Sequence, residues 1–321
     1  MYVPRTTEHS DTLPSRTPRA SRLARRATVL SQLAAVSISV AGAACAASKN
    51  AGAGAPSTRV TVTATDFAFQ APDTAIAGPT ALRLVNRGPD LHHVSLVRLD
   101  DGKTIDDVLA ALKAGGPPPA WVHEVGGPNT PAPGGESMAV VDLKAGSYAL
   151  LCFIPSKDGV PHIIKGMTRP LTVVPASKAS ASVTARLAAD AKDAGAAAAA
   201  PLPASDVTMT LTDYDFTLSK PLAAGRRVVR VRNEAAQSHE VFIARLAPGK
   251  TTPDLLAWLE KQEGPPPAMP MGGTTGMAKG EWNDVVLDLA AGDYALICFV
   301  PDAKDGKPHF MHGMSKQVTV R

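Results

Sequence analysis

Hydrophobic and polar residues alternate with period two along several short stretches: Arg59-Val-Thr-Val-Thr-Ala64, Ala81-Leu-Arg-Leu-Val-Asn86 and Val207-Thr-Met-Thr-Leu-Thr212. That period places successive side chains on opposite faces of a strand. Gly, Pro and Asp punctuate the stretches at close intervals, which predicts short antiparallel strands stacked as a sandwich. Two segments break the alternation. Thr104 caps a predicted helix over Ile105 to Ala114, and Thr252 caps another opened by Pro253, whose missing N–H is harmless in a first turn.

The pattern occurs twice. Thr65-Asp66-Phe67 returns as Thr212-Asp213-Tyr214, Asn86 as Asn233, and Arg98-Leu99 as Arg245-Leu246. Gly116-Pro-Pro-Pro-Ala120 returns as Gly264-Pro-Pro-Pro-Ala268, and Leu143-x-x-Gly146-x-Tyr148 as Leu289-x-x-Gly292-x-Tyr294. Offsets that drift by one residue mean a duplicated domain with small insertions. The expected fold is all-β: tandem Greek-key sandwiches over 58–175 and 206–321, each with one short inserted helix. Residues 176–205 hold 14 alanines. They read as a linker with no apolar stripe to bury, partly helical around Val183 to Ala194, leaving the domains free to reorient.

Composition refines this picture at the N-terminus. Seven Arg and Lys against two acids occupy the first 50 residues, which leaves 26 basic and 27 acidic residues for the remainder. The sequence pI near 9.0 therefore belongs to the leader, and the folded part has no basic surplus for nucleic acid. Arg16 to Arg26, the uncharged run Ala27 to Ser48 and the small residues around Cys45 have the layout of an export signal over 1–48. Arg25-Arg26 resembles a twin-arginine pair, and Cys45 is a candidate for lipidation. The expected location is outside the cytoplasm, periplasmic or extracellular, with a membrane tether only through Cys45 or an uncleaved signal.

Each domain carries one cysteine at a strand end, Cys152 after Tyr148-Ala-Leu-Leu and Cys298 after Tyr294-Ala-Leu-Ile. A lone cysteine is most often a small buried hydrophobe. These two have company. Cys152-x9-His162-x4-Met167 and Cys298-x10-His309-x4-Met314 keep one His–Met spacing although the loop before it changes length. Upstream, Asn86-x5-His92 and Asn233-x5-His239 add one more histidine to each set. A thiolate, two imidazoles and a weak axial thioether suit copper that alternates between Cu(I) and Cu(II). His93 is expected to face outward on the strand opposite to His92, and His123 and His312 to lie at the surface.

With these motifs each copy resembles a cupredoxin, the blue-copper domain of plastocyanin, amicyanin and pseudoazurin. The matching elements are Phe67-Ala-Phe69, Asn86-x5-His92 with Val94, and Leu143 through Cys152 to His162 and Met167. They repeat as Tyr214-Asp-Phe216, Asn233-x5-His239 with Val241, and Leu289 through Cys298 to His309 and Met314. The resemblance implies one copper per domain, held by His92, Cys152, His162 and Met167 and by His239, Cys298, His309 and Met314. Small cupredoxins often have Asn after the first His, tying two ligand loops. Here the positions hold His93 and Glu240, and the Cys-to-His loop is longer, closer to that of copper nitrite reductases.

Copper oxidases and nitrite reductases need a second centre, usually with His directly before the cysteine. Leu151 and Ile297 stand there, and no further His, Asp or Glu cluster at metal spacing is read from the sequence. The expected function is single-electron transfer to redox partner proteins of the cell envelope, not catalysis. A copper store or delivery module, favoured only by a short loop with Met269, Met271 and Met277, and a metal-free interaction module are the alternatives.

Overall fold

The period-two stretches do form strands, and the polar face of each is set by what lies against it. The computed structural model describes residues 58–193 and 204–321. The predicted leader, with Cys45, lies outside them, and no helix of the described residues is long and apolar enough to cross a membrane. The N-terminal half contains β1 (Thr58–Thr65), β2 (Ala68–Gln70), β3 (Thr74–Ile76), β4 (Gly78–Asn86), β5 (Ser95–Leu99), α1 (Ile105–Ala114), β6 (Val122–Gly126), β7 (Glu136–Leu143), β8 (Gly146–Leu151), β9 (Thr168–Val174) and α2 (Ala181–Asp193). The C-terminal half contains β10 (Val207–Thr212), β11 (Asp215–Leu218), β12 (Gly225–Asn233), β13 (His239–Leu246), α3 (Thr252–Lys261), β14 (Ala268–Met277), β15 (Trp282–Leu289), β16 (Gly292–Ile297) and β17 (Ser315–Val320).

The fold is all-β. Two mixed sheets enclose one core in each half: Val60, Val62, Leu82 and Leu84 of one sheet meet Leu96, Tyr148, Leu150 and Leu171 of the other. Met209, Leu211, Val229 and Leu287 meet Ile243, Tyr294 and Leu296 in the same way. Both inserted helices start with a reciprocal cap between Thr104 and Asp107 and between Thr251 and Asp254. The second cap is therefore Thr251 rather than Thr252, because only Thr251 stands three residues before an acid that can return the hydrogen bond. Each helix covers the outer face of a sheet through Val108 or Leu255.

Two expectations fail here. Helix α2 is not an idle spacer: Leu187 is buried and, with Val183, packs into the first core. Nor are the halves free to reorient. The first sheet runs β11-β10-β12-β15-β7-β4-β1-β2 and the second β17-β16-β13-β14-β6-β5-β8-β9-β3, so each passes through both halves. Strand β15 pairs antiparallel with β7 from Asn283↔Val141 to Val286↔Met138, and β14 meets β6 at Met277↔Val125. Between them the Asn283 side chain accepts from Gly127 N–H (2.9 Å) and donates to the Val125 carbonyl (3.0 Å). Ala81, Met138, Val140, Val228 and Val286 close the outer face of the junction.

Residues 58–193 and 204–321 produced as separate chains are thus expected to co-purify as a one-to-one complex, because each alone bares two strand edges. Size-exclusion chromatography reads the result. Two independent folded monomers would show that the paired edges do not hold the halves together.

Candidate metal centres

The sheets bring three separate segments to one end of each core. Cys152 follows β8, His162 opens a 3-10 turn over His162–Lys165, Met167 precedes β9, and His92 lies between β4 and β5. Cys298, His309, Met314 and His239 occupy the same places around β16, a turn over His309–His312, β17 and β13. All eight side chains are fully buried. Backbone hydrogen bonds lash each loop: Ile163 N–H to Cys152 O (2.7 Å), Met167 N–H to His162 O (2.9 Å), and Phe310 and Met314 N–H to Cys298 and His309 O (2.9 and 3.0 Å). Gly166 and Gly313 end the turns at φ 97° and 98°. That left-handed conformation suits glycine, which accounts for the repeated Gly-Met.

The donor atoms converge. His92 Nδ1 lies 3.2 Å from His162 Nδ1, which is 3.6 Å from Cys152 Sγ. In the second half Cys298 Sγ lies 3.4 Å from His309 Nδ1 and 3.8 Å from His239 Nδ1. Metal–nitrogen bonds near 2.0 Å and metal–sulfur bonds near 2.3 Å around one ion put donors about 3.3–3.8 Å apart. His92 Nε2 faces Asp66 Oδ1 and His239 Nε2 faces Asp213 Oδ1, each at 3.1 Å. With the proton held at Nε2, the Nδ1 lone pair is left free on the side of the other donors, His162 Nδ1 for His92 and Cys298 Sγ for His239, as metal-ligating histidines require. Two imidazole lone pairs and a thiol closing on one point fit a soft or borderline cation.

Electrostatics agree with this. Burial keeps all four imidazoles neutral by lowering their pKa values, His309 to about 4 with His239 adding to the effect. Burial pushes the Cys152 thiol up to about 11 and Cys298 further, helped there by the Glu240 charge. A cation must therefore displace the thiol proton as it binds.

Asp66 and Asp213 stand in the tight turns that join β1 to β2 and β10 to β11, followed by Phe67 (φ 64°) and Tyr214 (φ 67°). A left-handed aromatic residue costs roughly 1 kcal/mol or more. The turn is held because each ring packs edge-on against a site histidine: Phe67 on His162 (5.3 Å) and Tyr214 on His309 (5.6 Å). The Thr-Asp-aromatic repeat is visible in the sequence, yet nothing in it assigns the carboxylate to a histidine. Replacing Asp66 or Asp213 by Ala is expected to weaken binding of a cation at that centre about 10–100-fold. Competition with a chelator measures it, and unchanged affinity would mean that the carboxylates do not set the tautomer.

His93 is buried rather than outward-facing. The chain at 91–94 is not strand, so alternation does not apply, and His93 Nε2 accepts from Phe153 N–H (2.9 Å). Burial lowers its pKa to about 3, which leaves it a neutral acceptor. Glu240 does the same for Phe299 N–H (3.0 Å), brought inward by a bulge between His239 and Val241. Each residue thus ties the first-histidine loop to the residue after the cysteine.

His123 pairs with Asp100 at the surface, and His312 with Asp305. Asp302, Asp305 and His312 do come within metal-binding reach of one another, contrary to the sequence expectation. Asp302 already accepts from Tyr214 O–H (2.5 Å), Gln237 Nε2 (3.0 Å) and Lys304 N–H (2.7 Å). The His312–Asp305 pair stands where Lys165–Asp158 stands in the first half. Met269, Met271 and Met277 form no loop: all lie on β14, with Met277 in the core.

No family profile and no curated protein matches the chain. Among solved structures, an auracyanin from Roseiflexus castenholzii is 21% identical over 37% of this chain and 99% of its own, at a TM-score of 0.27. A blue copper oxidase from Nitrosomonas europaea is 14% identical over 82% of this chain and 85% of its own (TM-score 0.23). A copper-containing nitrite reductase from Thermus scotoductus is 10% identical over 82% and 61% (TM-score 0.22). Likeness at this level carries no weight for function.

Proposed function

We propose that the chain is an exported protein of two cupredoxin-like domains, the first extended past residue 175 by helix α2 and the second over 206–321, that binds two type 1 coppers and transfers single electrons. The observation that carries this reading is the pair of buried His–Cys–His sets with converging Nδ1 and Sγ atoms. His92, Cys152 and His162 would hold one copper, and His239, Cys298 and His309 the other, with Met167 and Met314 as weak axial donors. Bound copper supplies a one-electron couple that soft sulfur and imidazole donors accommodate in both oxidation states. The residues' part is to stay still. Ligand loops lashed to β-strands, and imidazoles fixed by Asp66 and Asp213, resist rearrangement between the two states. Redox proteins of the cell envelope are the proposed partners, and Cys45 or an uncleaved signal the proposed membrane tether. Neither nucleic-acid binding nor oxidase chemistry is part of this reading, since Leu151 and Ile297 stand where a bridging histidine would be needed.

Titration with Cu(II) should develop an intense visible band and saturate near two coppers per chain. A carrier keeps its metal when the axial donor is lost: Met167→Leu and Met314→Leu should shift the reduction potential with copper retained, because Cys and two His supply most of the binding. A delivery module would instead lose Cu(I) to a chelator without a change in potential. Absence of copper uptake under oxidising conditions would overturn both.

A further inference from the structure

The two centres differ in what stands behind them. In the first, His93 ties the loops, and among the described residues no hydrogen bond from the C-terminal half reaches it. In the second, Glu240 does so with one oxygen, and its other oxygen faces Asn129 Nδ2 at 3.3 Å. Asn129 belongs to the N-terminal half and is buried. The same amide nitrogen reaches the carbonyls of Val241 and Thr274, both at 3.3 Å. Its Oδ1 accepts from Thr130 N–H (2.8 Å) and Thr130 Oγ1 (3.1 Å), which settles which end of the amide faces the carboxylate. Its backbone is held as well, by Gly273 O (3.1 Å) and by Ser137 Oγ (2.5 Å).

We propose that Asn129 is a positioning residue for the second metal centre: it orients Glu240 across the junction between the halves, and Glu240 fixes the backbone next to Cys298. The other half of the chain reaches both first-histidine loops, through Thr275 Oγ1 on the Val94 carbonyl (3.1 Å) and Asn129 on the Val241 carbonyl. Only at the second centre does it also hold the residue that ties the loop to the cysteine. Glu240 N–H also donates to Cys298 Sγ (3.5 Å), so a turn of this residue moves the environment of the sulfur directly. Two sites with equivalent ligands thereby become separately tunable, the second through the carboxylate beside its cysteine.

This inference rests on the two-site reading for its ligand but not for its geometry, and the test has one arm for each. In the metal-free full-length chain, Asn129→Ala should speed hydrogen exchange at Phe299 N–H about tenfold, the loss of one ordered acceptor, and leave Phe153 N–H unchanged. In Glu240→His, which installs the first half's own acceptor, Asn129→Ala should leave Phe299 exchange unaltered. An effect that persists there would assign Asn129 to the Val241 and Thr274 carbonyls instead and overturn the proposal, as would no effect in the wild-type background. Should Asn129→Ala not fold, Glu240→Gln makes the test from the other side: it keeps an acceptor for Phe299 but turns an NH2 toward Asn129, and unchanged exchange overturns the proposal. In the Cu(II)-loaded chain, Asn129→Ala should shift the visible band when Cys152→Ser leaves only the second centre, and not when Cys298→Ser leaves only the first. Equal shifts of both bands would overturn it. Failure to take up Cu(II) at all would count against the copper reading while leaving the exchange result standing.

Discussion

On the proposed two-copper reading, Cys298→Ser should remove about half of the copper-dependent visible absorption and one of two coppers, and Cys152→Ser the other half. The reason lies in the donor, not in the packing, since both sulfurs are fully buried and the smaller hydroxyl fits either pocket. A serine hydroxyl stays protonated and is a hard donor, so the ion loses the soft, ionisable ligand and keeps two neutral imidazoles. The cost in affinity at that centre should exceed the roughly 10–100-fold cost of disturbing an outer partner. The Cys152 and Cys298 ligand loops belong to different cores, so each substitution should spare the other band. Metal counting together with the absorption spectrum checks it. One substitution abolishing both bands would mean that neither centre forms without the other.

Gly273→Ala should destabilise the chain by about 4 kcal/mol or more, a loss found only where a named structural conflict exists. A Cβ at this position would sit 1.9 Å from the Val241 carbonyl oxygen, with φ at 123°. Neither atom can retreat, because both belong to the ladder between β13 and β14. Gly127 in the first half meets Val94 in the same way at 2.4 Å. Chemical denaturation of the metal-free chain measures the effect. A loss below about 1 kcal/mol would show that the strands can part there at ordinary surface-substitution cost.

Much of this was legible in the residues. Alternation located β1, β4 and β10, and the repeated Cys–His spacing located donor atoms that the fold brings together. What stayed hidden was non-local. Pairing of β7 with β15 is a backbone matter between residues more than 140 positions apart, and no side-chain motif announces it. One sign was present: Met138 to Val141 and Val285 to Leu287 are apolar without alternation, as in strands covered on both faces, and both runs are buried. Glu240 stood out only as a departure at a loop-tying position, and Asn129 read as an ordinary polar residue because its partner Glu240 comes from the opposite half. The inward turn of His93 and Glu240 escaped the period-two rule because irregular backbone at 91–94 and a bulge after His239 interrupt the pleat.

The shared sheets also set an order of events. As the polypeptide is made, β6 and β7 emerge well before β14 and β15, the strands that cover their free edges. For that interval the finished N-terminal half presents two templates on which the corresponding strands of another nascent copy can settle. Crowded synthesis should therefore favour exchange of halves between molecules, and the speed with which residues 268–289 follow is what keeps each chain paired with itself.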